Sequence, residues 1–228
     1  MSSVLFDAIR STLEHKSMLK HPFYQAWNEG KLTKDTLKEY ACQYYYFVKE
    51  FPRMVSAVHS NTPEFSVRQE LLRNLMDEEQ GPENHPALWM QFANALDASH
   101  DEVLGTVPLP TTTALVAAML DTCRNGSFQE GAAALYAYES QIPEVSRVKK
   151  VGLEKFYGIR DDAATKFFSV HEEADVHHSR AEQEMIERHT PVELYPAVQR
   201  ASARTAEALW NFLDGVYEAY VARSVAVC

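Results

Sequence analysis

Cysteine is scarce in this chain: among 228 residues only Cys42, Cys123 and Cys228 carry a thiol. The number is odd and no pair has the C-x-x-C spacing, so neither a disulfide framework nor a thiolate metal site is indicated. Any metal bound by this chain must therefore be held by nitrogen and oxygen ligands.

Long apolar runs and an excess of positive charge are also lacking. No window approaches the roughly 18–20 apolar residues of a membrane span, and the first residues show no basic stretch followed by an apolar one. We therefore expect a cytoplasmic protein that does not enter a membrane.

Asp and Glu number 32 against 22 Lys and Arg, a net charge of -10. Nucleic-acid binding is disfavoured, because it requires clustered cations.

Strand alternation hardly appears either, whereas signals for helix ends recur along the whole chain. Thr62-Pro63 and Thr190-Pro191 are typical of an N-cap followed by a first-turn proline. Ser99, Ser127 and Thr190 are each followed three residues later by Glu, the pattern of a capping box. Glycines lie where helices should stop, at Gly30, Gly105 and Gly158.

These signals predict one all-α domain over residues 1–228, a bundle of about seven to nine helices. A single core of this size buries roughly 70–75% of the surface of the unfolded chain, which is sufficient for one domain. The predicted helices span residues 3–16, 20–28, 33–60, 63–80, 84–97, 111–124, 127–157, 161–189 and 191–222.

The segment FFSVHEEADVHHSRAEQEM, residues 167–185, sets polar side chains where a helix should bury its face. His171, Asp175 and His178 lie at positions i, i+4 and i+7, within about 60° of one another on a helix. Phe168 and Met185 indicate that this face is directed into the core. A solvated helix face is the plainer interpretation, but other charged residues already occupy the remaining sides of the helix. The polar stripe therefore needs its own explanation.

A second helix also carries a carboxylate along an apolar stripe. Leu71 and Leu75 begin a stripe that continues to Glu78 and, seven residues on, to His85. By the apolar pattern alone Glu79 is an equally good candidate, although the spacing of seven favours Glu78 as the partner of His85.

A third helix repeats the feature, with Glu139 between Leu135 and Ile142 in the segment SFQEGAAALYAYESQIPEV. Burying an unpaired carboxylate costs several kcal/mol, so a sequence that does this repeatedly must supply cations or protons. Three carboxylates and three imidazoles are enough for a dinuclear metal site of the kind built in di-iron helix bundles. Such ligands favour iron or manganese over structural zinc. The six candidate ligands are Glu78, His85, Glu139, His171, Asp175 and His178.

Several segments resemble the CADD-like proteins, a branch of the haem-oxygenase-like di-metal oxidases related in fold to pyrroloquinoline-quinone synthase C and thiaminase II (TenA). The similarity runs from roughly residue 10 to residue 190. It implies a haem-oxygenase-like helical bundle, the same six ligands, and Glu78 rather than Glu79 as the first of them. The segments are HPFYQAWNEGKLTKDTLKEYACQYYYFVKEFP, LMDEEQGPENHPALWMQF, ALYAYESQIPEVSRVKKVGLEKFYG and HEEADVHHSRAEQEMIE.

The resemblance also implies a function: oxygen-dependent synthesis of para-aminobenzoate for folate biosynthesis, in which the protein itself is consumed. A tyrosine of the chain provides the ring and a lysine the amino group. An Fe/Fe or Mn/Fe pair acts with molecular oxygen and an external reductant. Carried over to this sequence, the tyrosine is Tyr24 in HPFYQAW and the lysine is Lys149 in SRVKKVG.

Helix geometry by itself favours the neighbouring lysine. On an unbroken helix, Lys150 falls within about 20° of the direction of Glu139, whereas Lys149 is about 80° away. Pro143 can alter this register, so both lysines remain candidates, with Lys149 preferred from the resemblance. Tyr138, adjacent to Glu139, is a weaker candidate for a radical or hydrogen-bonding role.

Two other functions fit the same residues. One is a di-metal oxidase or oxygenase that acts on a diffusible small molecule. The other is a death-domain-type protein interaction module, which the name of the branch suggests and which needs a surface but no oxidant. The fold family also suggests a homodimer. No sequence motif indicates the electron donor.

Overall fold

The structure is a computed structural model that describes residues 4–222. Within this range all regular secondary structure is helical and no strand occurs, which confirms the all-α prediction. Cys228 and the predicted start of the first helix at residue 3 lie outside the described residues. Cys42 and Cys123 are both buried and form no disulfide.

Eleven α-helices are present in the described part of the chain. A single 3₁₀ turn precedes α2, another precedes α11, and a π-helical turn at Glu218–Ala222 follows α11. The helices are α1 (Val4–His15), α2 (Pro22–Asn28), α3 (Lys34–Asn61), α4 (Phe65–Glu79), α5 (His85–Ala95), α6 (His100–Gly105), α7 (Pro110–Asn125), α8 (Phe128–Glu139), α9 (Ile142–Tyr157), α10 (Asp162–His189) and α11 (Tyr195–Tyr217).

Two of the predicted capping boxes are present, at the starts of α6 and α8. Ser99 and Ser127 each accept a hydrogen bond from the backbone three residues on, and the glutamate there binds back to the cap. The predicted helix starts at Thr62 and Thr190 are wrong. Both threonines have extended backbone and end the preceding helices, because a residue followed by proline disfavours the helical conformation.

The predicted helix 127–157 is two helices, α8 and α9. The break lies at Ser140 and Gln141, and Pro143 stands in the first turn of α9, where its missing N–H is tolerated. The short helix α6 was also absent from the predicted spans. These two differences account for eleven helices rather than nine.

Helix α8 runs through the centre of the bundle and contacts α3, α10 and α11. Every residue from Gly131 to Glu139 is buried. A Cβ atom on Gly131 would lie 2.6 Å from Cγ2 of Val58 in α3, so this close helix approach requires glycine. The last residue of the helix, Glu139, consequently lies in the core with no surface exposure.

Candidate metal centre

Four helices bring the six predicted ligands together in the core. Glu78 lies in the last turn of α4, His85 begins α5, Glu139 ends α8, and the other three lie in the middle of α10. None of the six residues is more than 3% exposed. They form two groups of three, and within each group one ligand atom per residue lies within 4.8 Å of the others: Glu78, His85 and His171 in one triad, and Glu139, Asp175 and His178 in the other.

The first triad has one carboxylate and two imidazoles. His85 Nδ1 lies 2.8 Å from Glu78 Oε2, and the rings of His85 and His171 have centroids 4.1 Å apart. Burial, followed by the nearby His85, lowers the pKa of His171 well below its usual value. His171 is therefore neutral and donates from Nδ1 to the Phe167 carbonyl oxygen at 2.7 Å. This hydrogen bond leaves Nε2 unprotonated and able to bind a metal ion.

The second triad has two carboxylates and one imidazole. His178 Nδ1 lies 3.3 Å from Glu139 Oε1 and 3.5 Å from Asp175 Oδ1. Its other ring nitrogen, Nε2, lies 3.0 Å from Oδ2 of Asp77. Asn74 donates to Glu139 Oε1 at 2.9 Å. A carboxylate that accepts from the far side of a histidine fixes the ring for metal binding, and Asp77 is placed for that task.

Buried polar atoms without hydrogen-bond partners mark both triads. They include Glu139 Oε2, both carboxylate oxygens of Asp175, and Nδ1 of His85 and of His178. Unsatisfied buried oxygens and nitrogens are costly, and here they converge in sets of nitrogen and oxygen donors that suit a divalent first-row metal ion. The two buried triads could therefore bind a dimetal centre.

The second triad has two carboxylates and only one imidazole to balance their charge. Burial raises the pKa of Asp175 to about 7, against the opposing effect of the nearby His178. Burial alone would lower the pKa of His178, but the nearby carboxylates of Asp175 and Glu139 outweigh it and raise that pKa to about 11. The triad thus retains protons near neutral pH, and metal binding would displace them.

Three polar residues beside the ligands escaped the sequence analysis. Asn74 and Asp77 lie on α4, four residues and one residue before Glu78. Asn74 hydrogen-bonds Glu139 and Asp77 hydrogen-bonds His178, both in the second triad. Glu182 is 1% exposed and follows His178 by four residues on the same stripe of α10. That spacing was a usable signal, but the run of acidic residues around it resembles a solvated surface.

A second buried cluster contains Tyr24 and Lys149. Lys149 Nζ donates to the hydroxyl oxygen of Tyr40 at 2.6 Å, and this hydroxyl lies 3.0 Å from that of Tyr24. The same Nζ lies 4.7 Å from the centroid of the Tyr24 ring. Tyr24 and Lys149 are only 2% and 3% exposed. Amine and phenol ring are therefore in contact, sealed from solvent.

Six aromatic rings surround the amine of Lys149. Burial lowers its pKa well below the usual value for lysine, and no described carboxylate offsets the loss of hydration. The amine is consequently favoured in its neutral, nucleophilic form. Besides Tyr24, the rings within 6 Å of Nζ are those of Trp27, Tyr40, Tyr44, Trp89 and Phe168.

Lys150 lies outside this cluster. Its Nζ is 2.8 Å from Glu172 Oε1 and its side chain is 34% exposed. The prediction that Lys150 points in the direction of Glu139 assumed one unbroken helix. The helix is interrupted between α8 and α9, so the angular positions of residues in α9 cannot be counted from Glu139. The structure therefore separates the two lysines, with Lys149 inside and Lys150 at the edge.

Tyrosines connect the lysine cluster with the metal triads. The rings of Tyr40 and Tyr44 stack with centroids 5.5 Å apart, and Tyr44 donates to the hydroxyl oxygen of Tyr138 at 2.8 Å. Tyr138 precedes the ligand Glu139. Lys149 also lies close enough to His171 to influence the pKa of that imidazole, which places the two clusters next to each other.

Fold and site together define a class of protein: an all-α bundle with two buried triads of residues that could bind a dimetal centre. Within that class the chain belongs to the TENA/THI-4/PQQC family, whose model matches residues 9–219. The 4-aminobenzoate synthase of Nitrosomonas europaea is 47% identical over 228 residues, covering 95% of this chain and 92% of that protein.

Solved structures share the fold at low sequence identity. A TenA homologue from Pseudomonas syringae pv. tomato superposes with a TM-score of 0.81 at 19% identity, covering 94% of this chain and 91% of that one. A domain from Shewanella denitrificans described as having a heme oxygenase-like fold gives 0.74 at 18% identity, covering 95% and 90%. The predicted haem-oxygenase-like bundle and the family resemblance are confirmed. Among residues 4–222, no helix is long and apolar enough to cross a membrane.

Proposed function

We propose that this protein is an oxygen-dependent di-metal synthase of 4-aminobenzoate (para-aminobenzoate) that takes the ring from its own Tyr24 and the amino group from Lys149. The observation that carries the proposal is the sealed contact of the Lys149 amine with the Tyr24 ring, at 4.7 Å, beside two buried metal-binding triads. The similarity to the synthase of Nitrosomonas europaea supports the product. That product serves folate synthesis.

The chemistry follows from comparing tyrosine with the product. Both have a benzene ring with two substituents in para positions. Conversion requires that the Cα–Cβ bond of Tyr24 break, which leaves Cα in the backbone as a glycine, and that Cβ be oxidised to the carboxyl carbon. The ring C–O bond gives way to a C–N bond and its oxygen leaves as water. The Cε–Nζ bond of Lys149 breaks, which leaves Cε as an aldehyde and the nitrogen on the ring. Dioxygen is the oxidant and oxygen source, and an external reductant supplies the remaining electrons for its reduction to water.

The triads provide places for both metal ions. Glu78, His85 and His171 would hold one ion, and the other triad the second; these donors suit either Fe/Fe or Mn/Fe. A metal pair bound there supplies the activation of dioxygen. Tyr138 and Tyr44, hydrogen-bonded to each other, lie between this centre and the lysine cluster and are placed to carry a proton or an electron.

Residues of the chain prepare Tyr24 and Lys149 for reaction. The hydroxyl oxygen of Tyr40 accepts from Lys149 and shares a hydrogen bond with Tyr24, so one group orients both. Burial raises the pKa of Tyr24, which keeps its phenol protonated. Burial also lowers the pKa of the Lys149 amine, which favours its neutral form, and excludes water from the contact.

An internal substrate fits this site better than a diffusible one. Tyr24, Lys149 and the six metal-binding residues are each at most 3% exposed. Surface cavities of 350–650 Å³ are lined by other residues, for example the groove between α7 and α11. Interaction with death-domain proteins and a homodimer stay predictions.

The test uses metal-free protein loaded anaerobically with Fe²⁺, alone or with Mn²⁺, then given oxygen and reductant without any organic substrate. We expect at most one 4-aminobenzoate per chain by mass spectrometry, with its ring label from tyrosine and its ¹⁵N label from lysine. Tyr24→Phe and Lys149→Arg should abolish product. Tyr45→Phe and Lys150→Arg, which change a half-buried tyrosine and the neighbouring lysine, serve as matched controls.

Two results would contradict the proposal. One is repeated turnover that depends on an added small molecule. The other is metal binding and oxygen consumption with no labelled product.

A further inference from the structure

The polar stripe of α10 continues beyond its three predicted metal ligands to Glu182. This side chain is 1% exposed. Neither of its oxygens accepts a hydrogen bond from an N–H or O–H group of the described residues. Its carboxyl group faces that of Glu139, close enough to share a proton with it, and lies near Asp175. Glu182 is thus a buried carboxyl group that faces the second triad, and its described neighbours there are other carboxyl groups and not a donor or a cation.

The two metal subsites differ strongly once Glu182 is counted. The subsite of Glu78, His85 and His171 offers one carboxylate and two imidazoles. The other offers three carboxylates and a single imidazole, that of His178. The nearby Cys123 adds no anionic ligand, because burial and then the charge of Glu139 raise the pKa of its thiol to about 12. Three carboxylates in one buried site require nearby positive charge, and a divalent cation would supply it.

We propose that Glu182 is a fourth protein ligand of the metal ion held by Glu139, Asp175 and His178, and that this subsite takes Mn²⁺ in a mixed pair. Carboxylates suit manganese, whereas imidazoles suit iron. Fe²⁺ is accordingly directed to the subsite with two histidines. The inference rests on the dinuclear centre of the proposed function.

A structural role for Glu182 makes a different prediction. If Glu182 only served as a protonated acid that donates to Glu139, then Glu182→Gln would preserve the role, since the amide N–H₂ can donate in the same way. A metal ligand does not survive this change, because the amide has lost the negative charge. The isosteric variant therefore separates the two roles.

The first measurement is a titration of the metal-free full chain with Mn²⁺, following free Mn²⁺ by electron paramagnetic resonance under anaerobic conditions. We expect two Mn²⁺ sites in the wild type and at least a tenfold loss of affinity at one of them in Glu182→Gln. Glu184→Gln is the matched control, because Glu184 lies on the same helix but pairs with surface arginines. Thermal unfolding of each metal-free variant shows that it is folded.

The second measurement is a crystal structure of protein loaded with both metals, with anomalous scattering recorded at the manganese and iron edges. We expect manganese in the subsite of Glu139, with a Glu182 oxygen at about 2.2 Å from it. Iron in that subsite overturns the metal assignment, and a Glu182 oxygen beyond about 3 Å overturns its role as a ligand.

The outcomes distinguish this inference from the proposed function. Fewer than two metal sites in the wild type would overturn the dinuclear centre and this inference with it. Two sites in the wild type with unchanged affinities in Glu182→Gln would overturn only the role of Glu182.

Discussion

Lys149 places an amine in the protein core without a counter-charge. Because burial lowers its pKa well below the usual value, the unfolded chain binds more protons at this position than the folded one. The resulting penalty on stability is present at neutral pH, decreases as pH rises above the folded pKa, and vanishes above about pH 10.4, the ordinary value for lysine. The role proposed for Lys149 would thus be obtained at the expense of stability.

Replacement of Lys149 by methionine should therefore stabilise the metal-free protein. We expect Lys149→Met to raise the free energy of unfolding at pH 7 by about 1 kcal/mol or more, roughly 2–4 °C in Tm, even though the hydrogen bond to Tyr40 is lost. The gain should shrink steadily toward pH 10. Thermal unfolding across this pH range measures it, with Lys150→Met as the control. A gain that does not depend on pH would contradict a neutral buried amine.

Asp77 contacts the second triad from the surface side. Its carboxylate accepts from His178 Nε2 and is itself 57% exposed on the side chain. Asp77→Asn keeps an acceptor oxygen but removes the charge, so metal affinity at this subsite should fall by about tenfold, the lower end of the range for such partners. Isothermal titration measures the effect. The exposed neighbour Glu79 gives the control, Glu79→Gln, and equal losses in both variants would refute a specific role for Asp77.

At the level of single residues, apolar stripes pointed to the candidate ligands but left Glu79 as good a candidate as Glu78. The choice of Glu78 came from its spacing to His85 and from the family resemblance. Lys149 could not be chosen over Lys150 from helix geometry. The deciding fact, that the chain turns at Ser140 and Gln141, depends on how α8 and α9 pack. Glu182 was missed because spacing alone does not tell a buried acid from its exposed neighbours.

At the scale of single helices, α8 illustrates how small residues deliver a functional group. Gly131 and the three alanines after it let α3, α10 and α11 close around the helix, so its C-terminal Glu139 reaches the centre of the molecule. The sequence predicted a helix here correctly, since the capping box at Ser127 marks its start. The end was predicted wrongly, because an apolar pattern continued through the turn.

Gly131→Ala should destabilise the protein through this helix contact. The added methyl would meet Val58 at 2.6 Å, and overpacking of a core contact typically costs about 1–3 kcal/mol. Gly105→Ala is the matched control, as no atom lies within 4 Å of the added Cβ there. Chemical denaturation measures both. Equal stability of the two variants would show that α3 and α8 can separate without cost.

At the scale of the whole molecule, the metal-binding residues join α4, α5, α8 and α10, which are far apart in sequence. Repulsion among their carboxylates would oppose the packing of these helices without metal, and bound ions would convert it into a cross-link. The sequence predicted the all-α class and the participating segments. Their contacts in space could not be predicted from it, because they depend on long-range packing that helix periodicity does not encode.

Metal removal should accordingly loosen one region more than the rest. We expect a chelator to lower Tm and to increase hydrogen exchange in α4 and α5. Glu78 lies at the end of α4 and His85 at the start of α5, so a metal ion bound to both would hold the two helix ends together across the short connection. Hydrogen exchange with mass spectrometry measures this, and α11, which carries none of the ligands, serves as the internal control. Uniform change along the chain would contradict a cross-linking role.

The complete burial of Tyr24 has a consequence for the fate of the protein after the proposed reaction. Excision of its ring would leave a cavity in the aromatic core, comparable to a large-to-small core substitution that costs about 3–5 kcal/mol. Such a loss consumes much of the stability of an ordinary domain. A spent chain would thus be recognised as damaged by cellular proteases and cleared, so that its amino acids return to the pool while intact chains persist.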